Sequence, residues 1–311
     1  MQGTQAPRRG RRGAALRWEL ALVAVTAVWG ATFVLVRDAV ARTPPFTFIA
    51  WRFLAAAALL AALRPRAVLR RGTPRAAAAG VVCGLALFAG YGFQTVGLQY
   101  TTASNAGFIT GLSVVLTPLL GALLLGQRPG ARPSLGALLA AVGLALLSLS
   151  RLEVHRGDLL VLGCAVAFAA HILLLGRYAP RLDSYRLAVV QLGTAGLLGF
   201  GWAAAAGDLR APDGALVWLA LVVTAVLASA GAFLIQTRAQ REVPPTQTAV
   251  ILTLEPVFAG LFGFLLAGER LTGRGWLGAG CILAGMIVAQ LGRTEPGAVP
   301  GPPGAVGGAE P

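Results

Sequence analysis

An all-α integral membrane fold, with ten transmembrane helices arranged as two inverted five-helix repeats, is what this amino-acid sequence predicts. Three observations predict it. The chain of 311 residues is 56% hydrophobic and only 12% charged, with a mean hydropathy of +0.73, too few charges to cover a water-soluble surface. Its apolar residues come in runs of about 18 to 20, the length a helix needs to cross the hydrocarbon core, and not in the alternation of a membrane barrel. Finally, the second half of the chain repeats the first.

The spans are expected over 19–37, 46–63, 76–96, 103–125, 134–150, 158–176, 185–206, 215–236, 245–267 and 275–292. Arginine, proline and glycine punctuate the gaps, as at Arg64-Pro65-Arg66, Arg128-Pro129-Gly130 and Pro212-Asp213-Gly214. Residues 1–17 precede the first span with five arginines and read as a retained, cytoplasmic basic arm, since no small-residue cleavage site follows. The segment after Arg293 is rich in proline and glycine and is expected to be disordered. Between them lie a first repeat over 18–150 and a second over 151–292.

The net charge of +14 comes from arginine alone, with no lysine in the chain. These arginines sit in the short gaps between apolar runs, which argues for membrane topology and against a nucleic-acid partner. With the N-terminus inside, cytoplasmic segments hold 18 arginines and external loops 7, leaving Arg52 in a span. Both termini are therefore expected in the cytoplasm of a bacterial cell, with the chain in its inner membrane. Cys83, Cys164 and Cys281 lie far apart inside apolar runs, so neither a disulfide framework nor a metal set is expected. With only His155 and His171 as histidines, an intramembrane enzyme is excluded as well.

Sliding the sequence by 142 positions aligns Gln94-Thr95 with Gln236-Thr237, Gly121 with Gly263, Gly126 with Gly268, and Arg128 and Arg132 with Arg270 and Arg274. It also aligns Leu135-Gly136-Ala137 with Leu277-Gly278-Ala279 and Gly143 with Gly285. A slide of 139 pairs Glu19 with Asp158 and Arg52 with Gln191. Each repeat holds five spans, an odd number, so the second copy crosses in the opposite sense to the first. Two inverted halves can rock against one another and expose a central site to each side in turn.

Within this frame several residues resemble elements of a known family. They are Trp29-Gly30-Ala31-Thr32-Phe33, Trp51-Arg52-Phe53, and the run Tyr100-Thr101-Thr102-Ala103-Ser104-Asn105-Ala106-Gly107-Phe108-Ile109-Thr110-Gly111. In the second half they are Leu254-Glu255-Pro256-Val257-Phe258 and Leu266-Ala267-Gly268-Glu269-Arg270-Leu271. Over about 18–292 the chain is similar to the EamA type of the drug/metabolite transporter superfamily. The resemblance implies a ten-helix fold with a central cavity. It also implies export of amino acids, metabolites or toxic compounds without ATP, and no P-loop motif is present to contradict that. The halves depart from one another at Gln127, where the second has Glu269, and at Pro118, four residues beyond the position matching Pro256.

The site candidates follow from the cost of polar groups inside a span, about 2.5–3.5 kcal/mol for a charge at mid-helix. Glu255 falls near mid-bilayer with Pro256 behind it. Proline removes a backbone donor and disfavours helical dihedrals before it, so the pair predicts a helix break beside a carboxylate. That carboxylate is able to exchange a proton, to meet a substrate ammonium, or to serve structurally. Arg52 is able to snorkel to the outer surface, pair with a carboxylate such as Glu255, or bind an anionic group. Its repeat mate Gln191 is neutral, which makes the halves electrostatically unequal. His171 is a proton-relay candidate or a structural histidine. Trp29, Trp51, Phe33 and Tyr91 either line a cavity or anchor and pack the helices. Gln94 and Gln236 either bind substrate near the repeat axis or bond across helices. Glu19 and Asp158 are read as helix N-terminal charges.

The expected function is thus secondary active transport of small metabolites or amphiphilic compounds, as a proton-coupled exporter with no cofactor. The alternatives are a metabolite uptake permease, or a lipid-linked-sugar flippase component or partner subunit. Expected partners are a small-molecule substrate, protons and the lipid bilayer, and a homodimer is among the assemblies such a chain allows.

Overall fold

A computed structural model describes residues 9–69, 73–97, 99–100, 108–126, 129–148, 156–267 and 272–291. In chain order the helices are α1 (Arg9–Val40), α2 (Pro45–Leu63), α3 (Pro65–Leu69) and α4 (Pro74–Gly97). A helical turn over 108–111 leads into α5 (Ser113–Leu125), followed by α6 (Ala131–Ser148), α7 (Arg156–Tyr178) and α8 (Ser184–Ala205). Next come α9 (Ala215–Val223), a π-helical segment (Thr224–Gly231), α10 (Ala232–Ala239), α11 (Pro245–Leu252), α12 (Glu255–Ala267) and α13 (Gly273–Leu291). There is no strand among the described residues.

Local chemistry sets the boundaries. Prolines open α2, α3, α4 and α11, where the missing N–H is one the helix would leave unbonded in any case. Asp183 caps α8 by accepting from the Arg186 amide at 2.8 Å. Gly126 closes α5 at φ 62°, a left-handed conformation that only glycine adopts without strain.

Six helical stretches are long and apolar enough to cross a membrane, namely Pro45–Leu63, Pro74–Gly97, Phe108–Leu125, Arg156–Tyr178, Ser184–Ala205 and Ala215–Ala239. Two shorter apolar helices, Ala131–Leu146 and Gly273–Ala289, join them. Leu123, Leu159, Leu197 and Leu277 are each more than half exposed, as lipid-facing side chains of an integral membrane protein are.

Several expectations are corrected. The first helix starts at Arg9, ten residues ahead of the expected span. Glu19 is consequently buried well inside α1 and is not a helix-start charge, whereas Asp158 does occupy the first turn of α7. The expected 215–236 span runs on to Ala239 and is interrupted by the π segment. Residues 1–8, the Thr101–Gly107 portion of the resemblance, Gln127, Arg128, His155, Gly268 to Leu271 and everything from 292 onward lie outside the described residues, as do the side chains of Phe33, Leu266 and Ala267.

The helices pack through small residues and in an exchanged pattern. Helix α1 packs on α10, α11 and α12, while α7 packs on α4 and α5. Helix α2 lies along α8, where the Gly196 Cα sits so close to Leu54 that an added Cβ would be 2.7 Å from its amide nitrogen. The most extensive contact is between α6 and α13. An added Cβ on Gly136 would lie 2.5 Å from the Gly285 carbonyl oxygen, and one on Gly143 2.6 Å from that of Gly278. These four glycines are two of the aligned pairs, so each contact becomes the other when the halves are exchanged.

Candidate functional site

Aromatic rings meet where α1, α2, α4, α7 and the α9–α10 stretch come together. Phe233, 2% exposed, is the hub, with ring centroids 5.5 Å from Trp29, 5.9 Å from His171, 6.1 Å from Phe53 and 6.4 Å from Tyr91. Tyr91 in turn meets Phe168 edge-on at 5.4 Å. By the offsets of 139 and 142, Trp29 corresponds to Phe168 and Phe233 to Tyr91. The Trp29–Phe233 and Phe168–Tyr91 pairs are therefore the same pair made twice. So too are the hydrogen bonds from Thr95 to the Tyr91 carbonyl and from Thr237 to the Phe233 carbonyl, both 2.6 Å.

Arg52 enters this cluster from α2 and is 5% exposed. It does not snorkel outward. Its Nε donates to Ser229 Oγ at 2.7 Å, and one Nη donates to the Ala228 carbonyl at 3.2 Å and to the Tyr91 hydroxyl at 3.4 Å. Its guanidinium also stands 5.0 Å from the Tyr91 ring centroid and 5.2 Å from that of Phe53. Both Ser229 and Ala228 belong to the π segment, whose i→i+5 pattern is rare and leaves main-chain carbonyls available to side chains. The Ala228 carbonyl receives a second donor, the Trp29 indole N–H at 2.8 Å. One carbonyl thereby ties α1 and α2 to the π segment.

The predicted helix break is present at Thr253-Leu254, which separates α11 from α12. Glu255 sits in the first turn of α12, with Pro256 next, where the helix dipole favours a negative charge. The Glu255 carboxylate lies within electrostatic range of the Arg52 guanidinium. No ion pair joins it to Arg52 among the described residues. Gln94 donates to Thr110 Oγ1 at 3.3 Å, and Thr110 contacts Cys164 Sγ at 3.7 Å. The repeat mate of Leu254 is Leu112, and the helix leading into α5 is interrupted at that same residue. The break in the first half therefore precedes Pro118, which lies within α5. The counterpart of Glu255 is Ser113, so only the second half carries the carboxylate.

His171 and Gln191 lie behind Phe233 in a closed chain of hydrogen bonds. Thr237 donates to the Phe233 carbonyl and accepts from Gln191 Nε2 at 2.8 Å. That fixes the Gln191 Oε1 as the acceptor facing His171 Nε2 at 2.8 Å, so Nε2 carries the ring proton. Through these bonds the three side chains join α7, α8 and α10. Gln236 bonds within its own helix to Gln240 at 3.4 Å, while its Oε1 is buried with no partner.

Of the predicted residues, the structure brings together Arg52, Tyr91 and Trp29, with Glu255 within electrostatic range of Arg52 and Gln94 bonded to Thr110. It keeps His171 and Gln191 one layer away. Trp51 is not in the cluster: it is 40% exposed and bonds the Arg210 carbonyl at 3.0 Å, as an interface anchor does. Sequence reasoning missed Phe168, Phe233, Ser229, Thr110 and Cys164. The repeat offset could have found the first two as mates of Trp29 and Tyr91, but no signal marked Ser229.

The arrangement offers one buried cation and one half-buried anion, unjoined among the described residues, against an aromatic wall. In a low-dielectric interior such a pair favours a ligand that carries both complementary charges over one that carries a single uncompensated charge.

Comparison with known proteins agrees with this picture. A family profile described as the EamA-like transporter family matches twice, over residues 16–149 and 155–290. An uncharacterized transporter of Archaeoglobus fulgidus is 35% identical over 273 residues, covering 88% of this chain and 85% of that protein. The uncharacterized inner membrane transporter YedA of Escherichia coli is 27% identical, covering 88% of this chain and 90% of that one. A protein crystal structure shares the fold with a TM-score of 0.75 at 23% identity, over 90% of this chain and 97% of that chain.

Proposed function

The chain belongs to the EamA-like transporter family, and from that premise we propose that it is a secondary active transporter for small zwitterionic or weakly polar amphiphilic compounds. It is a membrane transporter of small molecules and not an enzyme. In our reading it works as a proton-coupled exporter in a bacterial inner membrane, by alternating access between two inverted five-helix halves, with both termini cytoplasmic.

The observation that carries the substrate reading is the Arg52 and Glu255 pair: the buried guanidinium is held by Ser229, the Ala228 carbonyl and Tyr91, and among the described residues no ion pair joins it to the half-buried Glu255 carboxylate within its electrostatic range. A zwitterion laid between them neutralises both. The inverted-repeat reading is supported by the double family match, by the exchanged glycine contacts of α6 and α13, and by helix breaks at Leu112 and Leu254. The two halves then form equivalent faces around the aromatic cluster, and rocking them about it opens the site to one side at a time. Glu255, without an ion-pair partner among the described residues, is the group that exchanges a proton as substrate leaves.

The test is efflux from everted vesicles, screening labelled amino acids and cationic dyes with and without an imposed pH gradient, in wild type and Glu255→Gln. Gradient-driven movement that is lost in the Gln variant, with the protein still folded, supports the reading. Gradient-independent movement unaffected by the substitution overturns the proton coupling. Movement of no compound overturns the transporter assignment for these substrate classes.

A further inference from the structure

The π segment has a task in this site that follows from where its atoms point. We propose that Ser229 and the Ala228 carbonyl are positioning groups that hold Arg52 away from Glu255, keeping a two-charge site open for a zwitterion. The inference rests on the substrate reading above and deepens it.

Opposite charges in a medium of low dielectric attract strongly, and two mobile side chains within electrostatic range of one another are drawn toward a salt bridge unless something restrains one of them. Arg52 is restrained on several sides. Ser229 Oγ takes its Nε at 2.7 Å, the Ala228 carbonyl takes Nη2 at 3.2 Å, and the Tyr91 ring stands 5.0 Å from the guanidinium. Trp29 bonds the same carbonyl at 2.8 Å and steadies it.

Both acceptors depend on the π geometry. A π segment is in effect one residue inserted into an α-helix, and one residue is about 100° of rotation. Restoring an α register over Thr224–Gly231 would turn either Ser229 and Ala228 or the whole of α10 away from its present partners. The side chain of Phe233 and the Thr237–Gln191–His171 chain hold α10 in place, so the acceptors would be the atoms to move. Arg52 would then be free to bond Glu255, and the site would neutralise itself.

The test uses the full-length protein in proteoliposomes and two readouts. The first is the infrared carboxylate band of Glu255, assigned by difference against Glu255→Gln. The second is KM for a zwitterionic amino acid. Ser229→Ala, and separately deletion of the lipid-exposed Leu227, are expected to move the Glu255 band to that of an ion pair. KM should rise about tenfold, the effect of losing one charge-assisted hydrogen bond. Ser229→Thr, which keeps the hydroxyl, should restore both. An unshifted Glu255 band in folded Ser229→Ala overturns the proposal, whatever the transport rate. If instead the band shifts while Arg52→Gln and Glu255→Gln transport normally, the positioning stands and the zwitterion reading falls.

Discussion

Replacing Gly136 by alanine puts a methyl carbon 2.5 Å from the Gly285 carbonyl oxygen and 2.7 Å from the Ala289 Cβ. Ordinary contact begins near 3.4 Å, so α6 and α13 must separate by 3.4 − 2.5, or about 0.9 Å. The opposing atoms are backbone and an alanine Cβ, none of which is able to swing aside. Overpacking of this kind costs about 1–3 kcal/mol. Gly285→Ala meets the same crossing from the other side, 2.6 Å from the Gly136 carbonyl oxygen, and demands nearly the same opening. The double variant should therefore lose little more than either single one, a coupling of about 1 kcal/mol or more. Gly280→Ala on the same helix, with nothing within 4 Å, should be neutral or slightly stabilising. Unfolding of the purified protein in mixed detergent micelles, followed by tryptophan fluorescence, measures all four. Equal stability of Gly136→Ala and Gly280→Ala, or full additivity of the double variant, would refute the reasoning.

Other expectations follow from single observations. Phe233→Ala empties the hub of five rings and should lower stability by about 3–5 kcal/mol in the same assay, with Phe233→Leu losing distinctly less. Gln191→Leu strands the His171 Nε2–H and should cost about 1–3 kcal/mol, accompanied by a changed imidazole nitrogen NMR signal. Gly126→Ala meets no neighbour but must adopt φ 62°, a loss of about 1 kcal/mol by thermal unfolding. Trp51→Phe removes only an exposed bond to Arg210 and should leave substrate KM unchanged, which a vesicle assay will read directly.

Much of the architecture could be read from residues alone because it rests on signals that repeat. Long apolar runs place the helices, and the Leu-Gly-Ala alignment of 135–137 with 277–279 marks the very faces that α6 and α13 bring together. The break beside Glu255 was legible because Pro256 has no N–H to give. Its partner at Leu112 was not, since Pro118 sits where it would suggest a later interruption and the break has no proline of its own. The π segment was invisible for a related reason. Thr224 to Gly231 is as apolar and small as any helix interior, and its geometry is set by donors from Trp29 and Arg52, about 175 to 200 residues away in sequence. Arg52 itself was a clear anomaly in a span, but its three possible fates differ only in which neighbours surround it. Long-range contacts decide such questions, and composition is silent on them.

The exchanged packing also has a consequence for biogenesis. Helix α1 leaves the ribosome first, yet the helices it packs on most, α10, α11 and α12, begin at residue 232. From the end of α1 at Val40 that is 232 − 40, or 192 residues, which at about 5–20 residues per second is roughly 10–40 s of synthesis. Through that interval α1 must dwell in lipid, its inward face covered by acyl chains or by the insertion machinery. The helices of the first half complete their packing only against those of the second. A ribosome that stalls before α10 leaves an assembly with its leading helix unclaimed, a natural substrate for membrane quality control.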